Sequence, residues 1–175
     1  MSNCSIRRVS QRSAPRNWAR RGALLSALAL CFSALAQPSA VQAPEVHLIW
    51  MGGNDCPPCK VWRGIELPKL QASPEFQRVR YSYVTKTIPA SVPPKFFLPE
   101  EVRPYKELLD TASAGGAGSP QAAVIVNGQV FDYFWGVRSA DEIVAMLVAI
   151  RTGGTYPFAR CIKMSNQGRS CEVRG

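Results

Sequence analysis

No aspartate or glutamate occurs before Glu45, a single histidine (His47) is present, and no internal repeat is seen in the 175 residues. The longest apolar run, Gly22–Ala36, falls short of the ~18 residues a bilayer-spanning helix needs. The acid-free start matters because six of the 21 lysines and arginines (Arg7, Arg8, Arg12, Arg16, Arg20 and Arg21) lie inside it. The net charge of +9 is therefore mostly terminal: 15 basic residues face 12 acidic ones over the rest of the chain. Nucleic-acid binding requires basic residues clustered on the folded part, so no nucleic-acid partner is expected. A composition of 46% hydrophobic and 19% charged residues excludes global disorder.

What the N-terminus does contain is an Arg-rich polar stretch, the apolar run, and Ala34-Leu35-Ala36 with small residues at the two positions a signal peptidase reads. This three-part pattern predicts a secretory signal peptide over residues 1–36. The alternative is a retained anchor or a buried amphipathic helix. The flanks of Arg20-Arg21 favour the general secretory route over twin-arginine export, and Leu30 before Cys31 argues against lipidation. Beyond the signal, Cys56, Cys59, Cys161 and Cys171 form an even set in a compartment that permits disulfides. The mature protein is expected outside the cytoplasm, in the periplasm for a Gram-negative source.

Residues 37–44 read as a short linker. Glu45–Met51 is a β-prone apolar run ending at Gly52-Gly53. A helix is expected from the Cys56-Pro57-Pro58-Cys59 stretch to about Gln71, with Val61, Trp62, Ile65 and Leu70 at helical spacing and Pro68 ending or kinking it. Arg78–Thr87 alternates as a second strand, Ile88–Pro99 is a proline-rich loop, Glu100–Leu109 a helix, and Thr111–Ser119 a flexible connector. Ala122–Val126 and Gln129–Tyr133 flank Asn127-Gly128, a hairpin signal. Ser139-Ala140-Asp141-Glu142 is a capping box opening a helix with Ile143, Leu147 and Ile150 on its buried face. A tail over 153–175 carries the last two cysteines. Strands separated by helices, with a hairpin appended, predict an α/β fold whose central mixed sheet is flanked by helices.

Cysteines at i and i+3 of a helix start have Cα atoms about 5 Å apart, within the range a disulfide tolerates. The unpaired N–H groups and the helix dipole there favour a thiolate. Pro57 and Pro58 fit the first turn, where no helical partner awaits an N–H. Cys56 is expected to be the exposed attacking sulfur and Cys59 the shielded one that resolves the mixed disulfide. A C-x-x-C pair also occurs in structural zinc sites, which want a second close pair; Cys161 and Cys171 stand too far apart in sequence, so no metal is expected.

The chain here resembles the thioredoxin family over roughly residues 45–152. Besides the C-x-x-C, Gly118-Ser119-Pro120 before the strand 122–126 is similar to the family's cis-proline loop, and Phe134-Trp135-Gly136 before a capped helix is similar to its next element. The resemblance implies a thioredoxin-like fold and a thiol-disulfide oxidoreductase whose only cofactor is its own Cys56–Cys59 disulfide. It implies that Ser119 and Pro120 bind the substrate backbone and pack on the disulfide. Two departures stand out. Asp55 replaces the family's tryptophan before the first cysteine. The family's buried acid has no clear match, leaving Glu45 and His47 as candidates.

Cys161–Cys171 reads as a structural staple, with a second redox centre as the alternative. His47 on a strand, and Phe96, Phe97, Phe131, Phe134 and Trp135, read as core residues rather than catalyst or cleft, the alternative for the loop aromatics Phe96 and Phe97 being that they face a partner. Pro57 and Pro58 offer no N–H to the Cys56 sulfur, Asp55 adds a negative charge, and no histidine lies between the cysteines. These redox-tuning features predict a moderately reducing protein. Size leaves no room for a dimerisation domain, so a monomer is expected, exchanging with protein thiols and disulfides and reduced by a membrane electron donor. The alternative is a redox-inactive binding or chaperone module with a permanent disulfide.

Overall fold

The computed structural model describes residues 42–165 and 170–175; the segment read as a signal peptide and residues 37–41 of the linker lie outside these. The described residues form a mixed α/β structure with a four-stranded mixed sheet in the order β2-β1-β3-β4 and three α-helices. The strands are β1 (Val46–Gly52), β2 (Arg80–Thr85), β3 (Gln121–Val126) and β4 (Gln129–Trp135). β1 pairs parallel with β2 and antiparallel with β3, while β3 and β4 form an antiparallel hairpin. The hairpin turns at Asn127 and Gly128, both with positive φ (49° and 80°), as a tight hairpin turn requires.

Alternation along β1 splits the core into two layers. Val46, Leu48 and Trp50 pack with Trp62 and Leu70 of α1 (Pro57–Ala72) and with Ile143, Met146 and Leu147 of α3 (Ala140–Thr152). Ile49 and Met51 face the other way, toward Leu109 and Ala112 of α2 (Lys106–Ser113) and toward Val92, Leu98 and Val102 of the preceding loop. Ser139 caps α3 with the expected reciprocal bonds to Glu142. Glu66 of α1 ties the two helices of the first layer by accepting from the Ala140 N–H at 2.8 Å, which lowers its carboxyl pKa.

Several expectations need correction. Pro68 does not end α1, which runs on to Ala72; the carbonyl this proline leaves unbonded belongs to Gly64, and both residues face solvent, so water can satisfy it. Val61 and Ile65 are exposed (59% and 51%), because the buried stripe of α1 passes through Cys59, Trp62 and Leu70. The expected helix at 100–109 is a 3₁₀ turn at Arg103–Tyr105 followed by α2, since Pro104 has no N–H to donate and fits only a first helical turn. Its end takes in residues expected in the connector, stopping at Ala114 with left-handed φ. Phe96 and Phe97 are not core residues: they sit in a 3₁₀ turn with their tilted rings 4.0 Å apart, 70% and 66% exposed, while Val92 and Leu98 fill the core.

The tail is more ordered than the sequence suggests. β5 (Cys161–Met164) and β6 (Cys171–Arg174) form a separate two-stranded sheet joined by the Cys161–Cys171 disulfide. Cys161 and Met164 pack in the second core layer beside Tyr133 of β4. Asp132 on β4, almost fully buried, anchors this tail by accepting from the Cys161 N–H (2.9 Å) and the Tyr156 hydroxyl (3.0 Å). Arg138 completes the anchor: it pairs with Asp132 at 3.4 Å and lies between the Phe134 and Phe158 rings at 3.8 and 3.9 Å.

Candidate redox site at the start of α1

β1 ends at Gly52, and the chain turns through Gly53, Asn54 and Asp55 to place Cys56 at the N-cap of α1. Cys56 and Cys59 are joined in a disulfide with Cα atoms 5.2 Å apart. Pro57 and Pro58 occupy the first helical positions, so the Cys59 N–H is the first within the motif able to reach back, and it donates to the Cys56 sulfur at 3.2 Å. No acidic residue lies in the first turn of α1. Asp55, just before it, is exposed, and one of its carboxylate oxygens accepts from the Ile88 N–H at 3.1 Å, holding the start of the proline-rich loop beside the site.

The exposed position expected for Cys56 is not observed: both cysteines are fully buried. As N-cap, the Cys56 side chain folds back over the helix start toward the Cys59 N–H and sulfur instead of projecting outward.

The loop 118–120 is brought against the cysteines. The Ser119–Pro120 peptide bond is cis, Pro120 is buried, and the Ser119 hydroxyl lies 3.3 Å from the Cys59 sulfur. Two buried side chains hold the loop from behind. Lys86, at the end of β2, donates to the carbonyls of Ala90 and Gly118, both at 2.6 Å, and Gln121 donates to Gly116 and Gly118 at 3.1 and 2.9 Å. Burial lowers the Lys86 pKa to about 8. Gly118 has to be glycine: a Cβ there would stand 2.2 Å from the Trp135 ring.

Beneath the helix start, Gly52 permits a second close approach. A Cβ on Gly52 would meet the Cys59 sulfur and the Tyr83 hydroxyl, each at 2.9 Å. The Tyr83 hydroxyl is buried and has no hydrogen-bond partner among the described residues. Arg63, one turn beyond Cys59, lies over the Tyr83 ring at 5.1 Å and donates to Asn54 at 2.8 Å. Burial raises the Tyr83 pKa, against a smaller opposing effect of Arg63, so it stays a hydroxyl at neutral pH.

Neither Glu45 nor His47 reaches the cysteines, because both lie at the opposite end of β1. Glu45 meets Asn127 through its N–H and Arg80 through its carboxylate. His47 bonds Ser82 at 3.0 Å on the α2 face, and burial together with the Arg80 charge lowers its pKa to about 4. Trp50 occupies the buried end of β1 on the α1 face, stacked on Trp62 at 3.8 Å. Cys161 and Cys171 belong to the β5–β6 sheet. Among the described residues no cluster of histidine, cysteine, aspartate or glutamate could hold a metal ion.

An open groove of about 450 Å³ runs beside the site, lined by Pro58, Val61, Trp62, Glu66 and Val137 among others. The residues missed in the sequence are Lys86, Tyr83, Arg63 and Gln121. The one available signal was Gly52-Gly53, which marks a strand end that something approaches closely. Neither a protein-family model nor a curated protein matches the chain.

Proposed function

We propose that the protein has a thioredoxin-like fold and is an extracytoplasmic thiol-disulfide oxidoreductase, working on protein substrates in the reducing direction. The observation that carries this reading is the Cys56–Cys59 disulfide at the helix N-terminus with the cis Ser119–Pro120 loop 3.3 Å from its buried sulfur. In the reduced form the Cys56 thiolate attacks a substrate disulfide, releasing one substrate thiolate and leaving a mixed disulfide. The Cys59 thiolate then attacks the Cys56 sulfur, which frees the second substrate thiolate and re-forms Cys56–Cys59. Two electrons pass to the substrate, and a membrane thiol donor restores the dithiol.

The reducing direction rests on how little holds a Cys56 thiolate. Two prolines remove donors, a single backbone N–H faces the sulfur, and Asp55 stands next to it. In this reading residues 1–36 are a cleaved signal peptide, the protein acts as a monomer, and Ser119 and Pro120 orient the substrate backbone. Two disulfides fit an oxidising compartment. Equilibration with glutathione tests the direction: a potential near −120 mV, where strong oxidants lie, would overturn it. A mixed disulfide trapped through Cys56 in a Cys59→Ser variant identifies the substrates.

A further inference from the structure

Cys59 has two hydroxyl groups beside it, and only one of them is engaged. Ser119 bonds the sulfur at 3.3 Å. On the sheet side, Tyr83 presents a buried hydroxyl that, like the Cys59 sulfur, would stand 2.9 Å from a Cβ on Gly52, and that hydroxyl has no partner among the described residues. A buried O–H gains from any acceptor brought within its reach. A disulfide sulfur is a weak acceptor, whereas a thiolate is a strong one.

We propose that Tyr83 is the hydrogen-bond donor that receives the Cys59 thiolate when the Cys56–Cys59 bond opens. This deepens the function proposed above and rests on Cys59 being the resolving thiol. Opening the disulfide lets the Cys59 sulfur draw away from Cys56 with Ser119 on one side and Tyr83 on the other. Both hydroxyls then donate to it, lowering its pKa and keeping it ready to attack. In the resolving step the Cys59 thiolate forms the new S–S bond with Cys56, and the substrate sulfur leaves with the electron pair and takes a proton from solvent. Tyr83 keeps its own proton throughout. The charged or titratable groups that bear on Tyr83 are Arg63 from α1, over its ring at 5.1 Å, and Tyr81 from β2, while Lys86 turns to the Ala90 and Gly118 carbonyls and Asp55 to the Ile88 N–H. Gly52 makes the arrangement geometrically possible, since any side chain there would wedge sulfur and hydroxyl apart.

The test compares Cys56→Ser with Cys56→Ser/Tyr83→Phe in the full chain. Iodoacetamide alkylation is followed against pH and read at Cys59 by mass spectrometry. Tyr83→Phe keeps the ring and removes only an unpartnered oxygen, so the oxidised fold should tolerate it. The Cys59 midpoint should rise by about one pH unit, which is about tenfold less thiolate at any pH below both midpoints. Coincident curves would overturn the proposal. Should Tyr83→Phe fail to fold, a ring-fluorinated tyrosine at position 83 gives the second reading: a stronger donor must lower the midpoint, and an unmoved midpoint overturns the proposal. Insulin reduction by the wild type, assayed separately, keeps the two ideas apart. A shifted midpoint without turnover would contradict the oxidoreductase reading alone, and turnover with an unmoved midpoint would contradict the Tyr83 role alone.

Discussion

The Ser119 hydroxyl stands 3.3 Å from the Cys59 sulfur across sixty residues of chain. A sulfur in a disulfide carries no proton, so Ser119 is the donor in this state, and a Cys59 thiolate would accept the same bond more strongly. Ser119→Ala should therefore slow disulfide reduction about threefold to tenfold, with the thermal midpoint almost unchanged. Insulin turnover and a melting curve on the same sample check this; wild-type turnover in the variant would show that the contact has no chemical role.

Buried Asp132 and part-buried Arg138 form an ion pair that also carries the tail. Removing Asp132 alone leaves the Arg138 guanidinium uncompensated and strips acceptors from Tyr156 and the Cys161 N–H. Asp132→Ala should cost about 3–5 kcal/mol in denaturant unfolding. Adding Arg138→Met should recover part of that loss, so the double variant is more stable than additivity predicts.

His47 makes stability depend on pH in a defined direction. Its pKa is about 4 in the folded protein against 6.5 for the free side chain, so between these values the unfolded chain binds the extra proton. Stability is complete above pH 6.5 and falls as pH drops toward 4, by about 2–3 kcal/mol. Unfolding curves across this range should show the slope in the wild type and a flatter line in His47→Gln. Parallel curves would contradict it.

The Cys161–Cys171 disulfide closes a short loop and packs in the second core layer. Replacing both cysteines by serine should destabilise the protein by about 3 kcal/mol. Insulin turnover at a temperature where the variant is folded should match the wild type. A large loss of turnover in folded protein would instead support a second redox centre.

Elements with strong local chemistry were readable from the sequence. Asn127-Gly128 dictates its turn, Ser139 and Glu142 cap α3 reciprocally, and the Cys56/Cys59 spacing places both sulfurs at one helix start. What escaped depends on tertiary partners. β5 and β6 are four-residue strands, too short and too mixed to show a pattern, and they exist through Asp132, Arg138 and their disulfide. Lys86 looked like any lysine after a strand; its role comes from the nearby Ala90 carbonyl and the distant Gly118 carbonyl. Burial of Cys56 was equally illegible, because N-cap geometry, not residue type, turns its side chain inward.

The central claim is that Cys56 and Cys59 exchange disulfides with proteins, and insulin reduction with dithiothreitol as electron donor tests it most directly. The wild type should accelerate precipitation of the insulin B chain well above the uncatalysed rate, and Cys56→Ser should return it to that rate. Equal, negligible turnover in both would contradict the account and leave a binding module with a permanent disulfide.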